Sequence, residues 1–565
     1  MVGVRMRTRR ARWLVPLLLV TGLVVTAPVG IAQGAPQATK ASLKPRFSSA
    51  VAFDTSPAMR DVARQAATAR RAAANLNRTE RGPAAKGGAF AGDAAVQSTA
   101  GPDIPSPTVN FEGIPAEANI PILGGIPIPP DPVGDVGPNH YVEMVNTAWA
   151  VYSKTGALLL GPNSLASIWA GFAVPDCEDN SGDPIVLHDQ LANRFILTQF
   201  TTIGPTYYNC VAVSTGPNPT GSYFRYAFSS GPNFPDYPKY GVWPNAYFLT
   251  TREFAPDDSF AGIGVYALER AKMLRGNPAA RAVSVLVGPG TGAPAYLTGD
   301  GWLPSDLDGS RRPPAGSPNY IVGTQDDEGP YSAPFDAINI FRFFVSWGST
   351  PTAAFTGPTV VPVAEFDSDY PCVPPGSRNC IPQPGTSQRI DILSYRQRPT
   401  WRLAYRNFGT YESLVTSQSV EARPGIAGMR WYEIRRPGDQ PVIWQQATYS
   451  PNDGVNRWMG SIAQDKRGNM ALGYSVSNGT NVFPGIRYTG RLRGDPPNTM
   501  PQGEAVIVNG GGSQTDRFAR WGDYTSMNID PSNDCRFWYV NEYYDTTSAR
   551  GWNTRIAAFR MPGCS

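Results

Sequence analysis

Residues 519–544 read ARWGDYTSMNIDPSNDCRFWYVNEYY. Two apolar runs rich in aromatic residues flank a Pro-Ser-Asn-Asp turn, a pattern typical of two antiparallel strands joined by a tight turn. In the second run, residues 537–544, successive side chains fall on opposite faces of the strand and both faces carry large apolar or aromatic groups. This is expected for a strand packed between neighbouring sheets. Residues 519–524 instead carry charges beside aromatic rings, and they are a candidate binding surface.

Similar phrases recur along the chain, each with a strand, an Asn/Asp/Gly/Pro turn, a second strand, a loop and a third strand. The other copies begin with GDVGPNHYVEMVN (134–146), GDPIVLHDQLANRFILTQF (182–200), YPKYGVWPNAYFLTT (237–251), GSPNYIVGTQDD (316–327), RIDILSYRQRPTWRLAYRNF (389–408) and RWMGSIAQDKRGNMALGYSVS (457–477). Each of the seven copies has roughly 60 residues, somewhat more than the ~40–50 residues of a short propeller blade. The sequence therefore predicts an all-β fold, a single β-propeller with seven blades, six being the alternative.

A single sandwich or jelly roll is the competing architecture. Neither fold requires a recurring phrase of this kind, and neither commonly extends over so many residues in one domain. A propeller also avoids exposed sheet edges because the ring of blades closes on itself.

Composition supports an exported protein built from short strands. The chain has 565 residues, with 58 Gly and 55 Pro, and a formal net charge of only +4. The Gly and Pro content favours many turns, and the small net charge speaks against a nucleic-acid partner.

The N-terminal residues predict that the protein is exported. Residues 1–32 combine a basic start, an apolar core and small residues before Gln33, which identifies a signal peptide and predicts a secreted protein with no membrane span after cleavage. Residues 33–105 predict a propeptide or flexible spacer with a short helix capped by Ser56. The propeller domain is expected over residues 106–565.

Six cysteines agree with export, because an even count in an oxidising compartment usually forms disulfides. Six cysteines allow 15 pairings. Pairing between sequence neighbours is the expectation, namely Cys177–Cys210, Cys372–Cys380 and Cys535–Cys564.

The first strand of each propeller blade lines the centre, so residues at its start are site candidates. Carboxylates and a tyrosine there could act as acid, base or nucleophile, and the catalytic candidates are Asp135, Asp183, Asp523 and Tyr524. Guanidinium groups bind carboxylates and tryptophan rings stack on sugars. The ligand-binding candidates are Arg389, Asp391, Arg457, Trp458, Arg520 and Trp521. The third copy adds Asp236, Lys239 and Tyr240.

Each of these residues also has a structural interpretation. An Asp before a strand commonly caps a turn, and an Arg beside it can pair with that Asp in every blade. The histidines His140 and His188 could serve as a base in a polysaccharide lyase, although capping a turn is the simpler role. Acidic stretches at 305–309 and 325–329 could hold Ca²⁺ through oxygen ligands, without matching an EF-hand loop.

The phrases at 131–146, 182–200, 237–251 and 520–535 resemble a family of large secreted bacterial β-propeller proteins. The resemblance covers the chain after residue 106, implies fold and export, and leaves the activity open. More distantly, the arginines are similar to the carboxylate-binding arginines of sialidases. No S-x-D-x-G-x-T-W box occurs in any copy, so no catalytic residue follows from that similarity.

These observations favour a monomeric secreted propeller that binds or cleaves an extracellular, acidic glycan at the mouth of its central channel. Two alternatives remain: a non-catalytic scaffold or adhesion module that binds protein or cell wall, and a polysaccharide lyase.

Overall fold

The computed structural model describes residues 43–62, 92–102, 104–374, 377–392 and 396–565. Strands dominate these residues, as the sequence predicts, and the helices are single turns. The helical turns are Ala116–Asn119, Ile120–Leu123, Leu165–Trp169, Pro175–Glu178, Arg270–Met273, Pro289–Thr291 and Ala295–Thr298. Among the described residues, no helix has the length and hydropathy needed to cross a bilayer.

The described residues form 31 strands, numbered here in chain order. The first four are β1 (Arg46–Ser49), β2 (Ala52–Thr55), β3 (Val96–Gln97) and β4 (Val109–Pro115). The next twelve are β5 (Val133–Val136), β6 (His140–Val145), β7 (Ala148–Ser153), β8 (Leu158–Ser164), β9 (Ile185–Asp189), β10 (Arg194–Phe200), β11 (Tyr207–Ser214), β12 (Tyr223–Gly231), β13 (Phe234–Val242), β14 (Tyr247–Phe254), β15 (Phe260–Leu268) and β16 (Arg281–Val287).

The remaining strands continue the same succession. They are β17 (Leu303–Leu307), β18 (Asn319–Gln325), β19 (Ala337–Ser346), β20 (Thr352–Pro362), β21 (Thr400–Asn407), β22 (Glu412–Arg423), β23 (Ile426–Arg435), β24 (Val442–Tyr449), β25 (Asn456–Gln464), β26 (Met470–Ser477), β27 (Gly485–Arg491), β28 (Glu504–Val508), β29 (Ser526–Ile529), β30 (Arg536–Tyr544) and β31 (Trp552–Arg560).

Strands adjacent in sequence pair antiparallel in up-and-down order. Five sheets have four or five strands, and the sixth has nine. In the nine-stranded sheet, two antiparallel groups, β17–β20 and β21–β24 with β3, are joined only where β17 and β21 run parallel over three residue pairs, from Ser305↔Leu403 to Leu307↔Tyr405. The strands thus form seven antiparallel groups.

The first strands of the seven groups surround a common centre. β5 contacts β9, β9 contacts β13, and the succession continues through β17, β21, β25 and β29, which contacts β5 again. We call these seven strands the inner strands, and the end of the ring at which they begin the mouth.

The ring is closed by strands from both ends of the chain. The last group contains β29, β30 and β31 from the C-terminal part, and β4 from the N-terminal part pairs with β31. The disulfide between Cys535 and Cys564 ties the turn before β30 to the segment after β31. Cys177–Cys210 and Cys372–Cys380 are also formed, so all three disulfides follow the pairing expected from sequence proximity.

Two stretches between residues 33 and 105, expected to be a spacer, contribute edge strands. β1 pairs with β16, β2 with β12 and β3 with β24. Asp93 beside β3 forms a fully buried ion pair with Arg430 at 2.8 Å. The signal peptide predicted over residues 1–32 and most of the helix predicted after Ser56 lie outside the described residues.

Apolar side chains fill the space between neighbouring groups, where strands buried on both faces are expected to be rich in aromatic and branched residues. Phe248 of β14 meets Phe343 of β19 edge to face with ring centroids 5.7 Å apart, and Tyr488 of β27 stacks on Phe559 of β31 at 3.7 Å. Tight packing between groups fixes the inner strands and hence the positions of the residues at the mouth.

Candidate functional site at the mouth of the ring

Residues immediately before or early in the inner strands adopt unusual backbone conformations. Asp131, Asp183, Tyr237 and Gln397 have φ values of 49°, 46°, 52° and 46°. Left-handed backbone is uncommon outside glycine and costs about 1–3 kcal/mol where it is strained. Such conformations cluster at functional sites, so their recurrence at the mouth directs attention there.

Lys239 is the central cation of the mouth. Its side chain is fully buried, and its Nζ lies 3.4 Å from the centre of the Tyr237 ring and 3.8 Å from that of Tyr524. Nζ also donates a hydrogen bond to the carbonyl oxygen of Pro238 at 3.0 Å. Burial lowers the pKa of Lys239 to about 7, against the opposing effect of nearby carboxylates, Asp183 foremost. Lys239 is therefore poised to exchange a proton near neutral pH.

Three carboxylates from three separate loops surround this lysine. Asp131 accepts hydrogen bonds from the backbone N–H of Asp523 at 2.7 Å and from the amide of Asn146 at 2.8 Å. The side-chain oxygen of Asn146, Oδ1, in turn accepts the backbone N–H of Asp183 at 2.8 Å. One amide side chain thus joins the starts of the first two inner strands.

Burial is the main cause of perturbed acidity in these carboxyl groups. It raises the pKa of Asp131 to about 7, with further repulsion from Asp523. It also raises the pKa of Asp183 well above the ordinary value, and Asp131 adds to the rise. Asp183 is half-buried, so its carboxyl group lies near solvent.

Asp523 lies between two guanidinium groups. Arg520 donates to its Oδ1, and Arg398 lies 3.8 Å from its Oδ2. Arg398 also stacks over the Tyr237 ring, 3.8 Å from its centre. Because these arginines come from loops before different inner strands, the Asp523 pairs hold two sides of the mouth together.

A second ring of charges extends this network towards solvent. Arg252 lies 3.8 Å from Asp236 and 3.3 Å from Asp300, and the Tyr331 hydroxyl donates to Asp300 at 2.6 Å. The Asp236 side chain is 24% exposed, against 9% for Asp523. A ligand approaching the mouth would meet Asp236 before the buried groups.

Asp135 lies further along its inner strand, outside the group around Lys239. It accepts the backbone N–H of His188 at 2.6 Å, and burial raises its pKa well above the ordinary value while Arg402 opposes the rise. Arg402 is itself paired with Asp306 at 2.8 Å and Asp308 at 2.5 Å. The acidic stretch 305–309 is therefore bound to a guanidinium group.

The residues of the sixth copy and their aromatic neighbour lie within the packed sheets. Arg457 pairs with Asp453 at 2.7 Å and with Glu504 at 2.8 Å inside its own group of strands. Trp458 and Trp521 are fully buried and meet edge to face, with centroids 5.6 Å apart. Neither indole offers a free face to a sugar.

Arg389 and Asp391 lie on a loop rather than on an inner strand. The Asp391 N–H donates to the carbonyl oxygen of Ala519 at 2.8 Å, which places this loop beside Arg520. Asp391 also pairs with Arg378 at 3.3 Å, and Arg389 donates to the Cys380 carbonyl oxygen at 3.2 Å.

Both histidines lie at the other end of the ring. His188 is at the end of β9, where its Nε2 bonds with Asn193 at 3.0 Å, and His140 begins β6, which pairs with the end of β5. Burial lowers the pKa of each histidine. Neither lies with Tyr524 at the mouth.

Sequence reasoning did not find Asp131, Tyr237, Arg398 or Asp300. The repeat places the start of the fifth inner strand at Arg389, but this strand is β21, which starts at Thr400. The signal was nonetheless present, because RPTWRLAY at 398–405 follows the same order of a charge, a proline and an alternating run as DYPKYGVW at 236–243. Asp131 precedes its strand by the same distance as Asp183.

A candidate metal centre lies beside the mouth, formed by the acidic stretch 325–329 and Asp336. Asp326, Asp327, Glu328 and Asp336 each offer an oxygen, and these atoms all lie within 4.8 Å of one another. Oxygen-only ligands suit Ca²⁺ better than zinc.

Comparisons with known proteins do not show a family for this chain. No protein-family model and no curated protein matches the chain. Among solved structures, the α-L-arabinanase of Penicillium chrysogenum is 9% identical and its alignment covers 59% of this chain and 94% of its own, with a TM-score of 0.28. The α-L-arabinofuranosidase of Fusarium graminearum is 9% identical over 59% and 99%, with a TM-score of 0.26. The endo-arabinanase of Bacillus licheniformis is 12% identical over 55% and 96%, with a TM-score of 0.25. Likeness at this level carries no argument about activity.

Proposed function

We propose that this chain is a secreted seven-bladed β-propeller that binds and hydrolyses an extracellular glycan at the mouth of its ring. The closed succession of inner strands supports the blade number. Three disulfides and the N-terminal residues 1–32 support export.

One observation carries the chemical part of the proposal. A half-buried carboxyl group with a raised pKa, Asp183, lies in one network with a carboxylate, Asp523, that two guanidinium groups contact. Glycoside hydrolysis uses such a pair, an acid that holds its proton at neutral pH and a carboxylate that remains charged.

In the proposed reaction, Asp183 gives its proton to the glycosidic oxygen as the bond to the anomeric carbon breaks. Asp523 either bonds to that carbon or removes a proton from the water that attacks it. Water supplies the hydroxyl group of the new reducing end. If Asp523 bonds to the carbon, Asp183 takes the proton of the water that then displaces Asp523, and both groups are restored. If Asp523 acts as the base, it releases the proton of the water to solvent, and Asp183 recovers a proton from solvent. Tyr524 and Lys239 influence the charges of Asp183 and Asp523, because all four groups interact electrostatically.

An acidic glycan is the proposed substrate class. Arg520 is partly exposed beside Asp523, and the loop with Arg389 lies next to it. Guanidinium groups bind the carboxylates of uronic or sialic acids bidentately. Asp236 at the outer edge would instead contact sugar hydroxyl groups.

The test is a screen of the mature protein for binding and turnover against neutral, uronic-acid and sialic-acid polysaccharides. Arg520→Ala should lose about tenfold or more in affinity for the acidic polymer while neutral polymers are unaffected, in line with the loss of a charge-assisted hydrogen bond of about 1.5–3 kcal/mol. Arg555→Ala removes an arginine that pairs with the exposed Glu112, and it serves as the matched control.

A non-catalytic scaffold is the second candidate. Each arginine of the mouth has a carboxylate partner in the structure, as Arg252 has Asp300 and Arg520 has Asp523. Charges already neutralised by partners are what a structural network would show. Polymer or protein binding without release of products, unchanged in Asp183→Asn, would favour this candidate.

A further inference from the structure

The hairpin loop between β18 and β19 carries four acidic groups that approach one another closely. Asp326, Asp327 and Glu328 follow the last residue of β18, and Asp336 directly precedes β19. Their ligand oxygens lie within 4.8 Å of one another. Nothing in the reaction proposed above uses this cluster.

No cation of the described part of the chain neutralises the cluster. In those residues, none of the four acidic groups forms an ion pair with Lys or Arg. The charged group that acts most strongly on Asp336 and on the neighbouring Asp367 is another carboxylate, Asp326. Several negative groups are thus concentrated where a positive partner is missing from the protein itself.

A buried amide oxygen provides independent support for a ligand. Gln397 is completely buried, its Nε2 donates to the Tyr296 carbonyl oxygen at 3.2 Å, and its Oε1 has no hydrogen-bond partner among the described residues. That oxygen faces the acidic loop, because a methyl group on Gly329 would lie 2.9 Å from both Gln397 Oε1 and the Asp326 carboxyl carbon. An orphaned acceptor beside a carboxylate calls for a cation between them.

The loop backbone orients the acidic side chains in advance. Asp326 accepts the N–H of Gly329 at 2.7 Å and that of Ser368 at 2.7 Å. Asp336 accepts the N–H of Asp327 at 3.0 Å and that of Phe366 at 2.5 Å. Asp326 Oδ1 and both carboxyl oxygens of Asp336 accept one such bond each, so each keeps a further lone pair for a metal ion. Glu328 Oε2 is buried without a hydrogen-bond partner in the described structure.

We propose that Asp326, Asp327, Glu328, Asp336 and the Gln397 side-chain oxygen bind one Ca²⁺ ion. Five protein oxygens and additional water match the six to eight oxygen ligands that Ca²⁺ takes. The ligand set contains no nitrogen or sulfur, which disfavours zinc and copper. The mixed, loop-borne geometry disfavours Mg²⁺, which keeps its own water and demands a strict octahedron.

This ion organises one side of the mouth. Gln397 precedes Arg398, which contacts Asp523, and Tyr331 on the acidic loop donates to Asp300. The Ser368 hydroxyl accepts the Gln397 N–H at 2.9 Å and donates to Asp326. Bound Ca²⁺ would therefore connect the β18–β19 loop to the loop that enters β21.

The test measures Ca²⁺ binding by calorimetry, and the midpoint of thermal unfolding, on the full mature protein after removal of metals with EDTA. Wild-type protein should bind one Ca²⁺ per chain with a dissociation constant no weaker than about 1 mM, the range of extracellular modules. Its unfolding midpoint should rise with Ca²⁺ and respond much less to equal Mg²⁺.

The variants remove ligands without touching the buried hydrogen bonds. Asp327 is exposed and Glu328 is half-buried, so Asp327→Asn with Glu328→Gln should fold, as circular dichroism checks, and should bind Ca²⁺ at least tenfold more weakly. Asp439→Asn, at an exposed turn between β23 and β24, should bind as wild type does. Absence of Ca²⁺ binding by wild type, or equal binding by the double variant, would overturn the proposal. The proposal would also be overturned if the double variant were more stable than wild type by the same amount in EDTA and in Ca²⁺. Shared protons, and not a bound cation, would then relieve the repulsion between the carboxyl groups.

Discussion

The Nζ of Lys239 lies 3.8 Å from the centre of the Tyr524 ring, and the two side chains are buried together at the mouth of the ring. A cation over an aromatic face is stabilised by about 2 kcal/mol or more when water is excluded. Lys239 also offsets the charges of Asp183, Asp131 and Asp523. The mouth is thus a balanced buried charge network, and its behaviour should depend on pH.

Lys239→Met removes the central cation while keeping the shape of the side chain. We expect the free energy of unfolding of the wild type to rise with pH above about 7, because the folded lysine loses its proton near pH 7 while the unfolded one keeps it up to about pH 10.5. Lys239→Met should lack this rise, so its slope should be lower by at most about 1.4 kcal/mol per pH unit. Urea unfolding of both proteins at pH 7 and pH 9 measures the difference, and equal slopes would contradict this account.

Asp131 should make stability fall as pH rises through its folded pKa. Its pKa is about 7 in the fold against 3.8 in the unfolded chain, so the folded state holds the extra proton between these values. The stabilisation is complete below about pH 4 and is lost by about pH 7, with a slope of at most about 1.4 kcal/mol per pH unit. Asp131→Asn should flatten that slope even if it lowers stability overall. An unchanged slope in urea titrations from pH 4 to 8 would show that another group is responsible.

The Asp93–Arg430 pair tests whether residues 92–102 belong to the folded domain. Both side chains are fully buried, so Asp93→Asn should cost about 3–5 kcal/mol by leaving the Arg430 charge without its partner. Glu112→Gln breaks an exposed pair with Arg555 and should cost less than about 1 kcal/mol. Similar, small effects of both substitutions on chemical unfolding would support a detachable spacer instead.

The disulfide Cys535–Cys564 should contribute to closure of the ring. It links residues 29 positions apart, so replacing both cysteines by serine should lower the free energy of unfolding by about 2–4 kcal/mol. Cys372–Cys380 closes a span of only 8 residues and should contribute less. Thermal unfolding of the two double variants under non-reducing conditions ranks them, and the reverse order would contradict a role in closure.

The all-β class was readable from the sequence because each group of strands repeats one phrase around a turn. The repeated phrase did not locate the inner strand correctly where that strand is short or begins later in the sequence than the phrase predicts. β17 has only five residues, LPSDL, and a Pro in it weakens the strand pattern. Before β21, the loop with Cys372 and Cys380 includes the sequence RIDIL, whose alternating apolar residues resemble the pattern of a strand.

The candidate site was predictable in part for the same reason. Asp183, Asp523 and Tyr524 come together because they begin inner strands that the repeat located correctly. Arg457 and Trp458 also begin one, yet they lie in the packed sheet, since position in a strand does not determine the direction of a side chain. The burial that perturbs Lys239 depends on rings from distant loops, and no local sequence pattern contains it.

The most direct test of the proposed function is release of reducing ends from the polysaccharide panel by wild-type protein and Asp183→Asn. Asparagine tolerates the left-handed backbone at residue 183 but cannot donate an acidic proton. We predict turnover of one acidic polymer by wild type and by the Asp439→Asn control, and a loss of 10²-fold or more, roughly the contribution of general acid catalysis, in Asp183→Asn. Equal product release by Asp183→Asn, or none by wild type on every polymer, would contradict the account.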